Sequence, residues 1–187
     1  MLMEFCLHYE GKLKSSDTAA GKHRIRTSLH RQLKSICADS RFSTVFAKDL
    51  EDRRDLDDAP LFIEHSGKRY WFLISEHLKT VVDLDISLML PHEVGAIVKN
   101  GGDIDNRIKT LFDALRVPSV ASEIPRSDDF DYSDGGMYCL LQDDKLINKI
   151  SIQSFQDFDP ISPDSVRCII KVTTKITAAL WGNFHFL

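Results

Sequence analysis

Apolar positions along this chain fall into blocks that alternate between a period near two and a period near 3.6. Phe5–His8 reads as a first strand, and the polar stretch Gly11–Gly21 reads as a loop carrying Lys12 and Lys14. From Thr18 or Lys22 to Cys37 the stripe Ile25, Leu29, Leu33 recurs at i, i+4, i+8 and predicts a helix. Arg24, Arg31, His23 and His30 fall off that stripe. Lys48–Pro60 reads as an exposed charged linker. Leu61–Glu64 and Arg69–Ile74 flank Ser66-Gly67-Lys68, which predicts a hairpin with glycine in its turn. Leu78–Leu90 has a clean period of two: Val82, Leu84, Ile86 and Leu88 point one way, Asp83, Asp85 and Ser87 the other. Pro91 ends that strand.

The second half continues the alternation. Ile108, Leu111, Phe112 and Leu115 stand at i, i+3, i+4, i+7 and mark one buried face of an amphipathic helix. Leu146–Phe155 and Arg167–Ile176 read as two closing strands joined by the proline-bearing loop Asp157–Asp164. In Ala178–Leu187, Trp181, Phe184 and Phe186 predict a tail docked on the core or at a dimer contact. There is no internal repeat. The expected fold is α/β in the broad sense, more closely α+β. It is a single domain over residues 1–187, with a mixed sheet and helices mainly on one face.

Composition narrows the class. A chain of 187 residues with 43% hydrophobic and 28% charged residues can bury a substantial core. No apolar run approaches the ~20 residues of a membrane span. Glu4 stands where a signal peptide would be basic, so a cytoplasmic protein is expected. Cys6, Cys37, Cys139 and Cys168 lack the paired spacing of a zinc site, and reduced buried thiols are expected for all four. The net charge of −4 does not suit a nucleic-acid binder, but its distribution does. Residues 1–34 carry seven bases against three acids, and the remainder is acidic. A local basic face can bind phosphates despite an acidic total.

The chemistry concentrates in GGDIDNRIKTLFDAL, Gly101–Leu115, and in LLQDDKLINKI, Leu140–Ile150. Gly101-Gly102 permits a sharp turn. Asp103 and Asp105 would project the same way from an extended segment. Asp105, Lys109 and Asp113 lie four apart along one helix face. Asn106 is a candidate helix cap or carboxylate partner. Asp143 and Asp144 add carboxylates at the edge of an apolar segment. Clustered carboxylates with a lysine suit Mg²⁺-dependent phosphodiester cleavage. The D-x-D pair alone is weak, because this chain has five of them. At Asp55/Asp57, Leu61 stands at the position that Lys109 holds after Asp103, and Pro60 blocks a helix. An EF-hand reading of Asp103 fails too, since its sixth position is Ile108 and its twelfth is Ala114.

The full pattern, D-x-D-N-x-x-K-x-x-x-D-A-L followed by D-D before an apolar strand, resembles the RusA-like Holliday junction resolvases. The resemblance implies a RusA-like fold and that Asp103, Asp105 and Asp144 bind the metal, Mg²⁺ with Mn²⁺ able to substitute. It also implies that Lys109 is needed for cleavage. Asn106, Asp113 and Asp143 would support these groups. Lys12, Lys14, Lys22, Arg24, Arg26 and Arg107 are the candidate DNA contacts. A homodimer acting on branched DNA, with four-way junctions as substrate, follows from the resemblance, in the setting of recombination and repair.

One departure stands out. Where the family has a short turn, about 27 residues separate the helix from the D-D pair. This acidic, aromatic insertion at about 117–139, with Phe130, Tyr132 and Tyr138, is expected to be a mobile flap beside the active site. Two other readings stay open. One is a catalytically silent relative that binds DNA or a partner. The other is a metal-dependent phosphatase, or a nuclease for another nucleic acid.

Overall fold

The computed structural model describes residues 3–39, 61–91, 104–125, 129–133, 135–162 and 165–178. Asp103, Gly101-Gly102, the linker Lys48–Pro60 and the tail aromatics Trp181, Phe184 and Phe186 lie outside the described residues.

Among the described residues, seven strands and two α-helices give an α+β fold. In chain order they are β1 (Glu4–Lys12), α1 (Ala19–Ala38), β2 (Phe62–His65), β3 (Lys68–Ile74), β4 (Thr80–Leu90), α2 (Ile104–Leu115), β5 (Met137–Leu141), β6 (Ile147–Gln156) and β7 (Ser165–Ile176). The strands form two sheets rather than the one mixed sheet expected. One has the order β1-β7-β4-β6, the other β2-β3-β5.

In the larger sheet β4 is central. It runs antiparallel to β7 and parallel to β6, with a register shift at Val82/Asp83. β1 pairs antiparallel with β7, from Glu4↔Thr173 to Lys12↔Ser165. Burial along β4 alternates at every position, as its period of two requires. Leu84, Ile86 and Leu88 join Leu7, Ile170 and Val172 in the core. The opposite face is polar: Asp83 accepts from Asn148 Nδ2 at 2.7 Å and pairs with Lys175, and Lys171 stands beside Asp85. The Asp83/Asp85 pair therefore belongs to an ordinary polar sheet face.

The smaller sheet starts with a tight hairpin. Ser66 and Gly67 both have positive φ, 52° and 74°, the signature of a type I′ turn that matches strand twist. β3 then pairs in parallel with β5. Before β5 the backbone at Gly136 has φ 105°, and a Cβ there would press into the Arg69 carbonyl, so glycine is required.

α1 begins at Thr18, whose side chain accepts from the Gly21 N–H. It buries Ile25, Leu29 and Leu33 against β1, β5 and α2. α2 buries Ile108, Leu111 and Leu115, with Phe112 half-buried. Cys37, Cys139 and Cys168 are buried, and burial pushes their thiols up to about 12, 11 and 12, so they stay protonated and inert at neutral pH. Cys6 departs from expectation, because it sits exposed on the polar face of β1.

Where described, the insertion, expected as a flap, packs on the body of the fold. Val117 and Pro118 are buried. Tyr132 meets Tyr70, hydroxyl to hydroxyl, at 3.0 Å, and Trp71 Nε1 donates to the Gly135 carbonyl at 2.6 Å. Phe130 sits edge-on to both His30 and Tyr132, with centroids 4.8 Å apart in each pair. Its last residues, Met137–Cys139, are part of β5. Aromatic area of this size is costly to leave in water, and β3 and α1 cover part of it, leaving Phe130 and Tyr132 half-buried.

The alternation on β4 yields a direct test. Leu84→Ala should cost about 2–5 kcal/mol of unfolding free energy. Asp85→Ala, one residue along and on the opposite face, should stay within about 1 kcal/mol. Urea melts of the two variants at equal m-value measure the difference, and equal losses would reject this assignment of faces.

Candidate metal and nucleic-acid site

The candidate residues gather around α2. Asp105 lies in its first turn, not in an extended segment as expected, and helical backbone there puts an acid against the positive end of the helix dipole. Asn106 follows inside the helix, and Lys109 lies one turn on from Asp105. All three are exposed, on the side away from Ile108, Leu111 and Leu115. The turn Asp144–Leu146, a single 3₁₀ turn with Leu146 buried, lies close to α2 and leads into β6. Asp143 caps that turn, its Oδ1 accepting from the Lys145 N–H at 3.0 Å, while Asp144 is exposed. The two neighbouring acids thus have different duties.

A basic loop flanks the same helix. Arg107 donates from Nη1 to the Leu13 carbonyl at 3.1 Å, and Thr110 Oγ1 accepts from the Asp17 N–H at 3.4 Å. These bonds hold the loop between β1 and α1 beside α2. Lys12 and Lys14 are exposed there. Arg107 is half-buried and acts as the tether of this loop.

Asp113 behaves differently from the other members of its row. Its Oδ2 takes Lys22 Nζ at 2.6 Å and its Oδ1 takes Arg116 Nη2 at 3.1 Å. Burial alone would raise its carboxyl. The hydrogen bond and charge of Lys22, with Arg116, outweigh burial and hold it below the usual aspartate range. Arg116 in turn grips Glu123 with both terminal nitrogens, at 2.9 and 2.8 Å. Burial would also raise Glu123, and Arg116 with the Ser119 N–H outweighs it and holds that carboxyl low. The start of the insertion is thereby latched to the end of α2. Arg26 completes the joint: it is 1% exposed, and it donates from Nη2 to the Asp113 carbonyl at 2.7 Å and from Nε to the Arg116 carbonyl at 3.2 Å.

The basic residues proposed for DNA contact therefore divide. Lys12, Lys14 and Arg24 are exposed. Arg26 is an interior residue that satisfies backbone carbonyls, and Lys22 is committed to Asp113. Helix spacing within α1 could not show that α2 packs across its start and takes up both side chains. Sequence reasoning also missed Arg116 and Glu123. Only the i, i+3 spacing of Asp113 and Arg116 hinted at the former, and nothing local pointed to the latter.

Asp105 and Asp144 offer exposed carboxylate oxygens, the hard donors that Mg²⁺ takes. Among the described residues no group of three or more side chains converges as a metal cage. Asp103, the third acid expected there, is outside them. No helix among the described residues is long and apolar enough to cross a membrane.

Asp113→Asn should destabilise the fold by about 1–3 kcal/mol at neutral pH, because Lys22 and Arg116 lose their anion. A depressed carboxyl contributes stability that is present above its unfolded pKa, about 3.9, and lost as pH falls through the lower folded value. The deficit of Asp113→Asn against wild type should therefore shrink below about pH 4. Denaturant melts at pH 7, 4 and 3 measure it, and a deficit independent of pH would assign the loss to packing instead.

No sequence profile of a known protein family matches this chain, and no curated protein sequence matches it either.

Proposed function

We propose that this chain is a Mg²⁺-dependent endonuclease that cuts phosphodiester bonds in branched DNA, in the manner that its RusA-like motif implies. One observation carries the reading. α2 turns Asp105, Asn106 and Lys109 to solvent together, the basic loop is tethered along it, and the acidic turn Asp143–Leu146 lies close to it.

By the motif, Asp103, Asp105 and Asp144 would hold the ion. When bound, Mg²⁺ supplies a water of lowered pKa and offsets charge on the phosphoryl transition state. The remaining tasks belong to the chain itself. Lys109 is a compact charge on a flexible stem, able to meet a phosphate oxygen on the exposed face. Asp113, its neighbour at i+4, is already taken by Lys22 and Arg116. Asn106, beside Asp105, can donate to a carboxylate or to a phosphate oxygen. Lys12 and Lys14 supply the cationic approach for the sugar-phosphate backbone. A homodimer would present two such sites related by symmetry, as paired cuts across a four-way junction require.

The test is cleavage of a labelled four-way junction against matched linear duplex, with Mg²⁺ or EDTA. Asp105→Asn and Asp144→Asn should lose cutting by about a hundredfold or more and keep junction binding. Asp143→Asn keeps an acceptor for the Lys145 N–H and should lose clearly less, about tenfold. Equal loss in Asp143→Asn would move the ligand role to that residue. Tight junction binding without metal-dependent cutting in the wild type would establish the silent relative.

A further inference from the structure

A second feature lies on the other side of α1 from its buried stripe. There a cleft of about 880 Å³ opens between the outer face of α1 and the docked insertion. The helix wall carries Arg24, Thr27, Ser28 and Arg31, two cations bracketing two hydroxyls, with Lys34 beyond. The opposite wall is Asp129, Phe130 and Asp131. We infer that this cleft binds a single strand of nucleic acid, with the sugar-phosphate backbone along α1 and a base against Phe130.

The argument is one of shape, charge and surface chemistry. Arg24 and Arg31 are seven residues apart, about 10 Å along the helix, so the two cations are spread along the trough rather than focused on a single phosphate. Both are exposed, so neither loses solvation before a phosphate arrives. The lining of α1 runs from Ala20 to Lys34, about 21 Å. An elongated open trough of this kind suits a polymer, whereas a small anion would need enclosing donors. Thr27 and Ser28 add hydroxyl donors between the two guanidinium groups. Phe130 is the sequence-tolerant element, because every base has a face that stacks on an aromatic ring. Its ring is steadied edge-on by His30 and Tyr132. The acids opposite are not competitors for the same cations throughout: Asp131 turns back to accept from the Ser133 N–H at 2.9 Å. An acidic far wall also repels phosphate toward α1, which fixes the strand's orientation.

This inference rests on the nucleic-acid reading of the chain but not on its cleavage chemistry. It goes further than that reading, because Arg24 and Arg31 face away from the side of α1 on which Lys22 and Arg26 meet α2. A substrate touching both the carboxylates and this cleft has to pass around α1, as a branched molecule with an unpaired segment can.

The experiment is fluorescence anisotropy of labelled dT20 in EDTA, so that cutting plays no part, across a salt series. Arg24→Glu/Arg31→Glu should weaken dT20 binding about tenfold or more at low salt and flatten the salt slope by about 1 to 1.5. Arg24→Lys/Arg31→Lys should retain most of the binding, and circular dichroism should show all variants folded. Unchanged binding in the Glu variant would overturn the inference. So would a wild type that ignores dT20, or one from which polyglutamate but not dT20 displaces a bound anionic dye. Junction cleavage read separately keeps the two claims apart. Binding of dT20 lost in the Glu variant, in a protein that cuts nothing, upholds the cleft and rejects the nuclease. Metal-dependent cutting with unchanged dT20 binding does the reverse.

Discussion

Arg26 exchanges water at Nε and Nη2 for backbone carbonyls, and its burial sets the terms on which the two helices meet. The last carbonyls of an α-helix have no partner within the helix and carry the negative end of its dipole. Arg26 reaches from α1 to two of them, at Asp113 and Arg116, and so caps α2 from another element. Lys22 joins through the Asp113 carboxylate, and Arg116 extends the chain of charges to Glu123. The arrangement fixes how far α2 can slide or roll against α1. Everything exposed on α2, including Asp105 and Lys109, inherits its position from this joint. It is also the kind of interaction that costs far more to break than it contributes when whole, since removing one partner leaves a buried charge unmatched.

Most of the scaffold could be read from spacing. The period of two in β4, the i, i+4, i+8 stripe of α1 and the Ser66-Gly67 turn each had one physical solution, and the structure adopts it. The division into two sheets could not be read in this way. Strand pairing between β3 and β5, or β4 and β6, joins segments more than sixty residues apart, and no local pattern encodes a partner. The helical start at Asp105 was missed for a local reason. A D-x-D pair scans as extended when read by alternation, yet an acid near the beginning of an apolar 3.6-residue repeat is equally a helix-opening signal.

The candidate site was legible in its residue types and less so in their duties. Asp143 and Asp144 look equivalent on paper, and only the turn geometry separates a capping acid from an exposed one. Lys22 and Arg26 look like surface bases, because an arginine four residues from a lysine gives no sign that a second helix will cover both. The insertion looked mobile because it is acidic and broken by proline and glycine. What that reading left out is where its aromatic residues go, since Phe130 and Tyr132 find rings on α1 and β3 to pack against.

The pairing of β1 with β7 has a consequence for how the chain comes to be folded in a cell. β1 takes its hydrogen bonds from β7, the last strand among the described residues. A ribosome working at roughly 5–20 residues per second needs on the order of ten to thirty seconds between completing the one and completing the other. During that interval the apolar side of β1, with Leu7 and Tyr9, has no strand beside it. The larger sheet must therefore close late, after most of the chain has emerged, and the nascent chain depends on α1 or on a chaperone to shield those side chains until it does.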